Sequence, residues 1–263
     1  MLALDEPSPR APRGLLHDTP VAALAALAAT WVAAVVMLTE PAARVVGLAA
    51  AHGTLLGTAV AWTSPSGRGV RWAPVEAALV LAAAAGCARL HPWGALAYVA
   101  VPAWLAWRRA ACLGRPARRS VVAVTGGAVF GLLLGAHLLV NAALTFGYRL
   151  RTGPWSELVA WWAYDLGANV LAAEVFFRGA LFERAYRKWP FTAAAALATS
   201  ATLLRYLVDP LLPHSLGVAA GAIFYIALLG AGNCWLVART GRLGPSLAAA
   251  SVFFGAYRLL EPR

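Results

Sequence analysis

The residues able to do chemistry cluster in one stretch, Asn169-Val-Leu-Ala-Ala-Glu174-Val-Phe-Phe-Arg178-Gly-Ala-Leu-Phe-Glu-Arg184. Glu174 and Arg178 sit four apart in a run that is otherwise apolar. On a helix that spacing places them on one face, within ion-pair reach. A charge at membrane depth costs about 2.5–3.5 kcal/mol on insertion scales, so such a pair is seldom idle. It can clamp a helix bundle or support a reacting group. Asp165, Asn169 and Ala173 fall on one side of the same helix, which leaves Glu174 and Arg178 well round it. His137 and Asn141 are also four apart, and His52 stands alone among small apolar residues. Asp165 and the histidines could serve as bases, whereas an amide such as Asn169 is no base at physiological pH. Arg205 and Asp209 read as a local pair, or as a long side chain snorkelling from a helix end.

Those side chains must be held by helices. The chain has 263 residues, 61% hydrophobic and 13% charged. Soluble domains carry about 25% charged residues. Apolar stretches of about 20 residues recur along almost the whole length, which predicts an all-α, polytopic membrane bundle of about eight or nine spans. The runs are continuous rather than alternating, which argues against a barrel.

Residues 1–20 read as a disordered cytoplasmic tail, 21–150 as N-terminal transmembrane helices, and 151–263 as the transmembrane core. The expected spans are 21–39, 43–62, 75–90, 95–107, 121–147, 156–187, 191–208, 214–239 and 245–260. Those at 75–90 and 95–107 are short, either a tilted hairpin or a partly re-entrant pair. The topology beyond them survives only if both ends return to one side.

The formal net charge of +11 comes from basic residues in short loops. That pattern indicates membrane orientation and no nucleic-acid partner. The tail and the even-numbered loops hold 14 basic residues and the opposite side six, which predicts a cytoplasmic N-terminus. Lys188 is the only lysine, and Arg, Ala, Gly and Pro abound. The bias points to a GC-rich bacterial genome and thus to the bacterial inner membrane. Cys87, Cys112 and Cys234 show no metal-ligand spacing and read as packing residues. No phosphate loop, dinucleotide fingerprint, haem motif or zinc motif is present, so no cofactor or metal is expected.

Three segments in order resemble the CPBP family, also called the Abi or CAAX-protease-like family. The first family motif is Glu-Glu-x-x-x-Arg followed by Gly; this chain reads Ala173-Glu174-Val175-Phe176-Phe177-Arg178-Gly179. The second is Phe-x-x-x-His, matched by Thr202 to Tyr206. The third is Thr-Gly-x-Leu-x-Pro with a later His and, four on, an Asn; it corresponds to Thr240-Gly241-Arg242-Leu243-Gly244-Pro245, then Ala250 and Phe254.

The resemblance covers about 100 residues and implies a membrane endopeptidase of prenylated CAAX proteins. In such enzymes the first Glu and the His of the second motif activate a water. The third-region His and Asn help hold the oxyanion. Here the four positions read Ala173, Tyr206, Ala250 and Phe254. The resemblance therefore implies a pseudoprotease that keeps Glu174, Arg178 and Tyr206 at motif positions, with Glu174 and Arg178 bracing the bundle. Its expected partners are membrane lipid and a lipidated or membrane-anchored protein, or a partner membrane protease whose work it assists. The alternative is an active endopeptidase with Asp165, Asn169, His137 or Asn141 as substitutes.

Overall fold

The computed structural model describes Met37 and residues 43–63, 72–108, 120–207 and 216–261. The expected tail, the first span apart from Met37, the loop around Arg109–Arg119, Cys112 and Asp209 lie outside the described residues.

Helices fill almost all of the described chain. They are α1 (Arg44–Thr63), α2 (Ala73–Leu90), a 3-10 segment (Pro92–Val99) running into α3 (Ala100–Trp107), and α4 (Ser120–Phe146). A long rod comes next, made of α5 (Trp155–Tyr164), a π turn (Asp165–Asn169), α6 (Val170–Phe176), a second π turn (Phe177–Phe182) and α7 (Glu183–Tyr186). The last three are α8 (Phe191–Leu207), α9 (Leu216–Thr240) and α10 (Gly244–Arg258). The ends fall within a few residues of those expected.

Local chemistry explains the stops. His91 is extended ahead of Pro92, as a residue before proline prefers, and its Nδ1 accepts from the Trp93 amide at 3.2 Å. Gly241 adopts φ 66° past the end of α9 and donates its amide to the Val237 carbonyl at 2.7 Å. Only glycine takes that left-handed cap without strain.

α2 and α3 form a hairpin. Glu76, in the first turn of α2, accepts from Arg108 Nε at 2.7 Å and from Trp104 Nε1 at 3.1 Å, at the end of α3. Both ends of the pair therefore return to one end of the bundle. A two-residue antiparallel ribbon (β1 Arg149–Leu150, β2 Leu260–Glu261) ties the end of α4 to the end of α10. The purely helical expectation omitted it because two residues leave no alternation to detect.

Close helix contacts rest on glycine. A Cβ at Gly127 or Gly131 of α4 would overlap the Pro245 and Ala249 carbonyls of α10, and one at Gly135 would come within 2.7 Å of the Ala256 Cβ. These three glycines, four apart, form the small-residue seam by which membrane helices bring their backbones together. The spacing is plain in the sequence. Gly53 and Gly57 of α1 do the same against Ala78 and Pro74 of α2.

Among the described residues, four helices are long and apolar enough to cross a membrane: Arg44–Thr63, Ala73–Leu90, Val121–Phe146 and Ala219–Thr240. α8 and α10 are shorter, and the rod carries charges. α6 and the π turn after it are buried throughout, with α1, α8, α9 and α10 packed around them. α4 turns a broad apolar face outward, including Val122, Leu133 and Leu144. The charge-bearing rod is thus the inner element, and the most apolar helix an outer one.

Candidate functional site

The two π turns decide where the polar residues of the rod point. A π turn takes more residues per turn than an α-helix, so it rotates the side chains beyond it to a new direction. Ala173, Glu174 and Arg178 consequently line one small cavity with Val170 from the rod, Thr202 and Tyr206 from α8, Ile226 and Leu229 from α9, and Ala250 and Phe254 from α10. The expected separation of Glu174 and Arg178 from Ala173 is corrected. The charged pair lines the cavity beside Ala173, and Asp165 and Asn169 do not.

The cavity gathers all four positions at which the sequence departs from the hydrolytic pattern: Ala173, Tyr206, Ala250 and Phe254. Its free volume is about 10 Å³, which is close to the lower limit for a single water. The Tyr206 and Phe254 rings stack, with centroids 5.5 Å apart and planes 23° from parallel.

Polar groups fill the wall beneath. Arg178 is 1% exposed; its Nη1 donates to Thr202 Oγ1 at 2.6 Å and lies 3.7 Å from Glu174 Oε1. Thr202 Oγ1 donates in turn to the Ala198 carbonyl at 2.8 Å. Gly230 makes room for the guanidinium, since a Cβ there would stand 2.6 Å from Arg178 Nη2. Asn233 and Ser246, both fully buried, face the Glu174 carboxyl. Asn233 reaches it from α9 and Ser246 from α10. Among the described residues, Glu174 Oε2, Arg178 Nε and Thr199 Oγ1 lack a hydrogen-bond partner. Glu174, Arg178, Thr199 and Asn233 thus form a buried polar wall beneath the cavity.

The other sequence candidates belong elsewhere. Asp165, completely buried, holds Arg258 of α10 through both carboxylate oxygens, at 2.8 and 2.9 Å. It also accepts from Asn169 Nδ2 at 3.0 Å. Asn169 Oδ1 in turn accepts from Arg205 Nη2 at 2.7 Å. Arg205 is 8% exposed, which overturns the reading of it as a snorkelling end residue. Its Nη2 lies 3.5 Å from His52 Nδ1, and His52 Nε2 lies 3.0 Å from the Tyr164 hydroxyl. Arg258, placed among the outward basic residues by the charge pattern, points into this network.

His137 and Asn141 both meet the Tyr225 hydroxyl of α9, at 2.8 and 3.3 Å. His137 is exposed, and neither residue lines the cavity. Among the described residues no three of His, Cys, Asp and Glu gather into a metal-holding group.

Residues 154–256 match the family model described as Type II CAAX prenyl endopeptidase Rce1-like. No curated protein and no solved structure matches the chain. The matched segment runs from the start of the rod almost to the end of α10 and contains every residue that lines the cavity.

Proposed function

From the premise that this chain belongs, through residues 154–256, to the Rce1-like CAAX protease family, we propose that it is a pseudoprotease of the membrane. In this reading it binds a lipidated or membrane-anchored protein, or a partner protease, without hydrolysing a peptide bond. One observation carries the reading. The four positions where the chemistry would sit surround one cavity, and two of them are alanines while the other two are a stacked Tyr206–Phe254 pair. Hydrolysis needs a base beside a water and donors where negative charge develops. Ala173, Ala250 and Phe254 supply neither. Tyr206 is a phenol, which titrates near 10 when free. The loss of a general base alone costs about 10²–10⁴-fold in rate.

What remains supports binding. Glu174 and Arg178 keep a polar wall in an otherwise apolar bundle, and Gly230 keeps the space for it. The natural place for this protein is the bacterial inner membrane, with its N-terminus cytoplasmic, beside enzymes that mature or sort membrane-anchored proteins.

The test is binding and cleavage measured together. The full chain in lipid nanodiscs is offered a fluorescent farnesylated peptide. Anisotropy reports binding, and mass spectrometry reports cleavage. Binding with an intact peptide is expected. A second reading, an active endopeptidase, has one supporting observation: Glu174 Oε2 faces the water-sized cavity with no partner. It requires cleavage that Glu174→Gln abolishes.

A further inference from the structure

The helix pairings gather one set of ends together. Along the rod, Asp165 meets Arg258 and Ala173 shares the cavity with Ala250, so the end of the rod lies toward the start of α10. Gly127, Gly131 and Gly135 of α4 meet Pro245, Ala249 and Ala256 in turn, so α4 starts beside the start of α10. Gly53 and Gly57 of α1 meet Ala78 and Pro74, so α2 starts beside the end of α1. Glu76 and Arg108 bring the end of α3 to the start of α2. Arg184, near the end of the rod, stands 5.7 Å from the Trp62 ring near the end of α1 and joins the two groups. Beyond the deeper Glu174–Arg178 pair, the described residues at that end include six basic ones, among them Arg187, Lys188 and Arg239, against Glu76 and Glu183. The sequences that connect its helices, 64–71 and 109–119, add six arginines and no acidic residue. Even Asp5, Glu6, Asp18 and Glu40, set against Arg10 and Arg13 of the same leading segment, would subtract only two charges. The opposite end mixes signs, with Arg149 beside Glu261 and Arg258 on Asp165.

Tryptophans mark the level at which this charge sits. Trp72, Trp107 and Trp235 are exposed at the same end. The Arg108 guanidinium lies 5.1 Å from the Trp107 ring, and that of Arg239 lies 5.7 Å from the Trp235 ring. Tryptophan settles where hydrocarbon gives way to headgroups, so an arginine over its face is held at headgroup depth. We propose that this end of the bundle docks anionic phospholipid headgroups, with Arg239 over Trp235 as one seat. Each such headgroup brings a phosphodiester monoanion, which a guanidinium meets with two parallel N–H donors. Basic residues beside a membrane are drawn to its anionic lipids within about a Debye length. A soluble acidic partner would match the charge but not the exposed tryptophans, which require an apolar layer beneath it. The inference is independent of the pseudoprotease reading.

The experiment uses the full chain in bilayers of phosphatidylcholine. A trace of spin-labelled lipid is added, either phosphatidylglycerol or phosphatidylcholine. Electron paramagnetic resonance gives the share of each that the protein immobilises, and their ratio is the selectivity. Phosphatidylglycerol is expected to be favoured about fivefold, the worth of one basic residue at a membrane surface. Raising the salt concentration should bring the ratio toward parity, because exposed charges are screened.

Arg187→Gln, Lys188→Gln and Arg239→Gln together should lower the selectivity by about twofold or more. Arg44→Gln, Arg89→Gln and Arg149→Gln remove the same charge from the opposite end and should leave it unchanged. All six side chains are at least partly exposed, so both variants are expected to fold. The salt series on the natural chain stands if either does not. The proposal is overturned if the natural chain immobilises both lipids equally or if the selectivity persists at high salt. It is equally overturned if the two triple variants lower the selectivity alike.

Discussion

Two carboxylate–guanidinium pairs stand on the same rod and are built in opposite ways. Asp165 and Arg258 are far apart in sequence, meet through two bonds of 2.8 and 2.9 Å, and leave the carboxylate fully used. Glu174 and Arg178 are four residues apart, stand 3.7 Å from each other, and leave Glu174 Oε2 and Arg178 Nε unpartnered beside a cavity. The first is how a bundle is braced, because it joins elements that would otherwise separate. The second keeps polar capacity in reserve, as a site does. The sequence left Glu174–Arg178 as a clamp or a support for a reacting group and offered Asp165 as a substitute base. Spacing alone cannot tell the two apart, since it registers the local pair and is blind to the distant one.

Breaking the brace should have the largest effect. Asp165→Asn leaves Arg258 without its counter-charge. Removing one partner of a buried pair costs about 3–5 kcal/mol, and the part-exposed Arg258 side chain, at 29%, places the expected loss near the lower end of that range. Reversible SDS unfolding in mixed micelles measures it. A loss below that of the cavity variants would reverse the comparison.

Gly230→Ala comes next. Its methyl would stand 2.6 Å from Arg178 Nη2 and 2.9 Å from Thr199 Cγ2. Overpacking of this kind costs about 1–3 kcal/mol. The same unfolding assay, repeated in a Thr202→Val background, should give a smaller increment, because Arg178 has then already lost its acceptor. Full additivity would show that Gly230 does not act through Arg178.

Glu174→Gln leaves Arg178, 1% exposed, without its counter-charge and should cost about 1.5–3 kcal/mol, the worth of a hydrogen bond to a charged group. The amide oxygen can still face Arg178, and Arg178 keeps its bond to Thr202. A loss equal to that of Asp165→Asn would erase the distinction between site and brace. His137→Ala should move stability least, by about 0.6 kcal/mol, the usual size of a hydrogen bond between membrane helices. His137 is exposed, and Asn141 still meets Tyr225.

Much of the fold was legible because membrane helices are read from continuous apolar runs, and their stops from His91-Pro92 and Gly241. The meeting of Ala173, Tyr206, Ala250 and Phe254 came from motif frames on three separate helices. What remained hidden has physical causes. Two π turns shift the helical phase, so a wheel drawn with a constant angle puts Asn169, rather than Glu174, beside Ala173. Arg258 and Arg205 looked like end residues by position, and only the packed bundle shows that each meets a polar group of the π turn at Asp165–Asn169. The seam Gly127, Gly131, Gly135 needed no structure, only attention to small residues four apart.

The claim that decides the others is that the cavity performs no hydrolysis. The most direct measurement is a single-turnover cleavage assay with the purified chain in excess over a farnesylated peptide. It is run beside the variant that carries Ala173→Glu, Tyr206→His, Ala250→His and Phe254→Asn together. The natural chain should leave the peptide intact over the time in which it binds, and the fourfold variant should begin to cut it. Cleavage by the natural chain that disappears on Glu174→Gln would contradict the account.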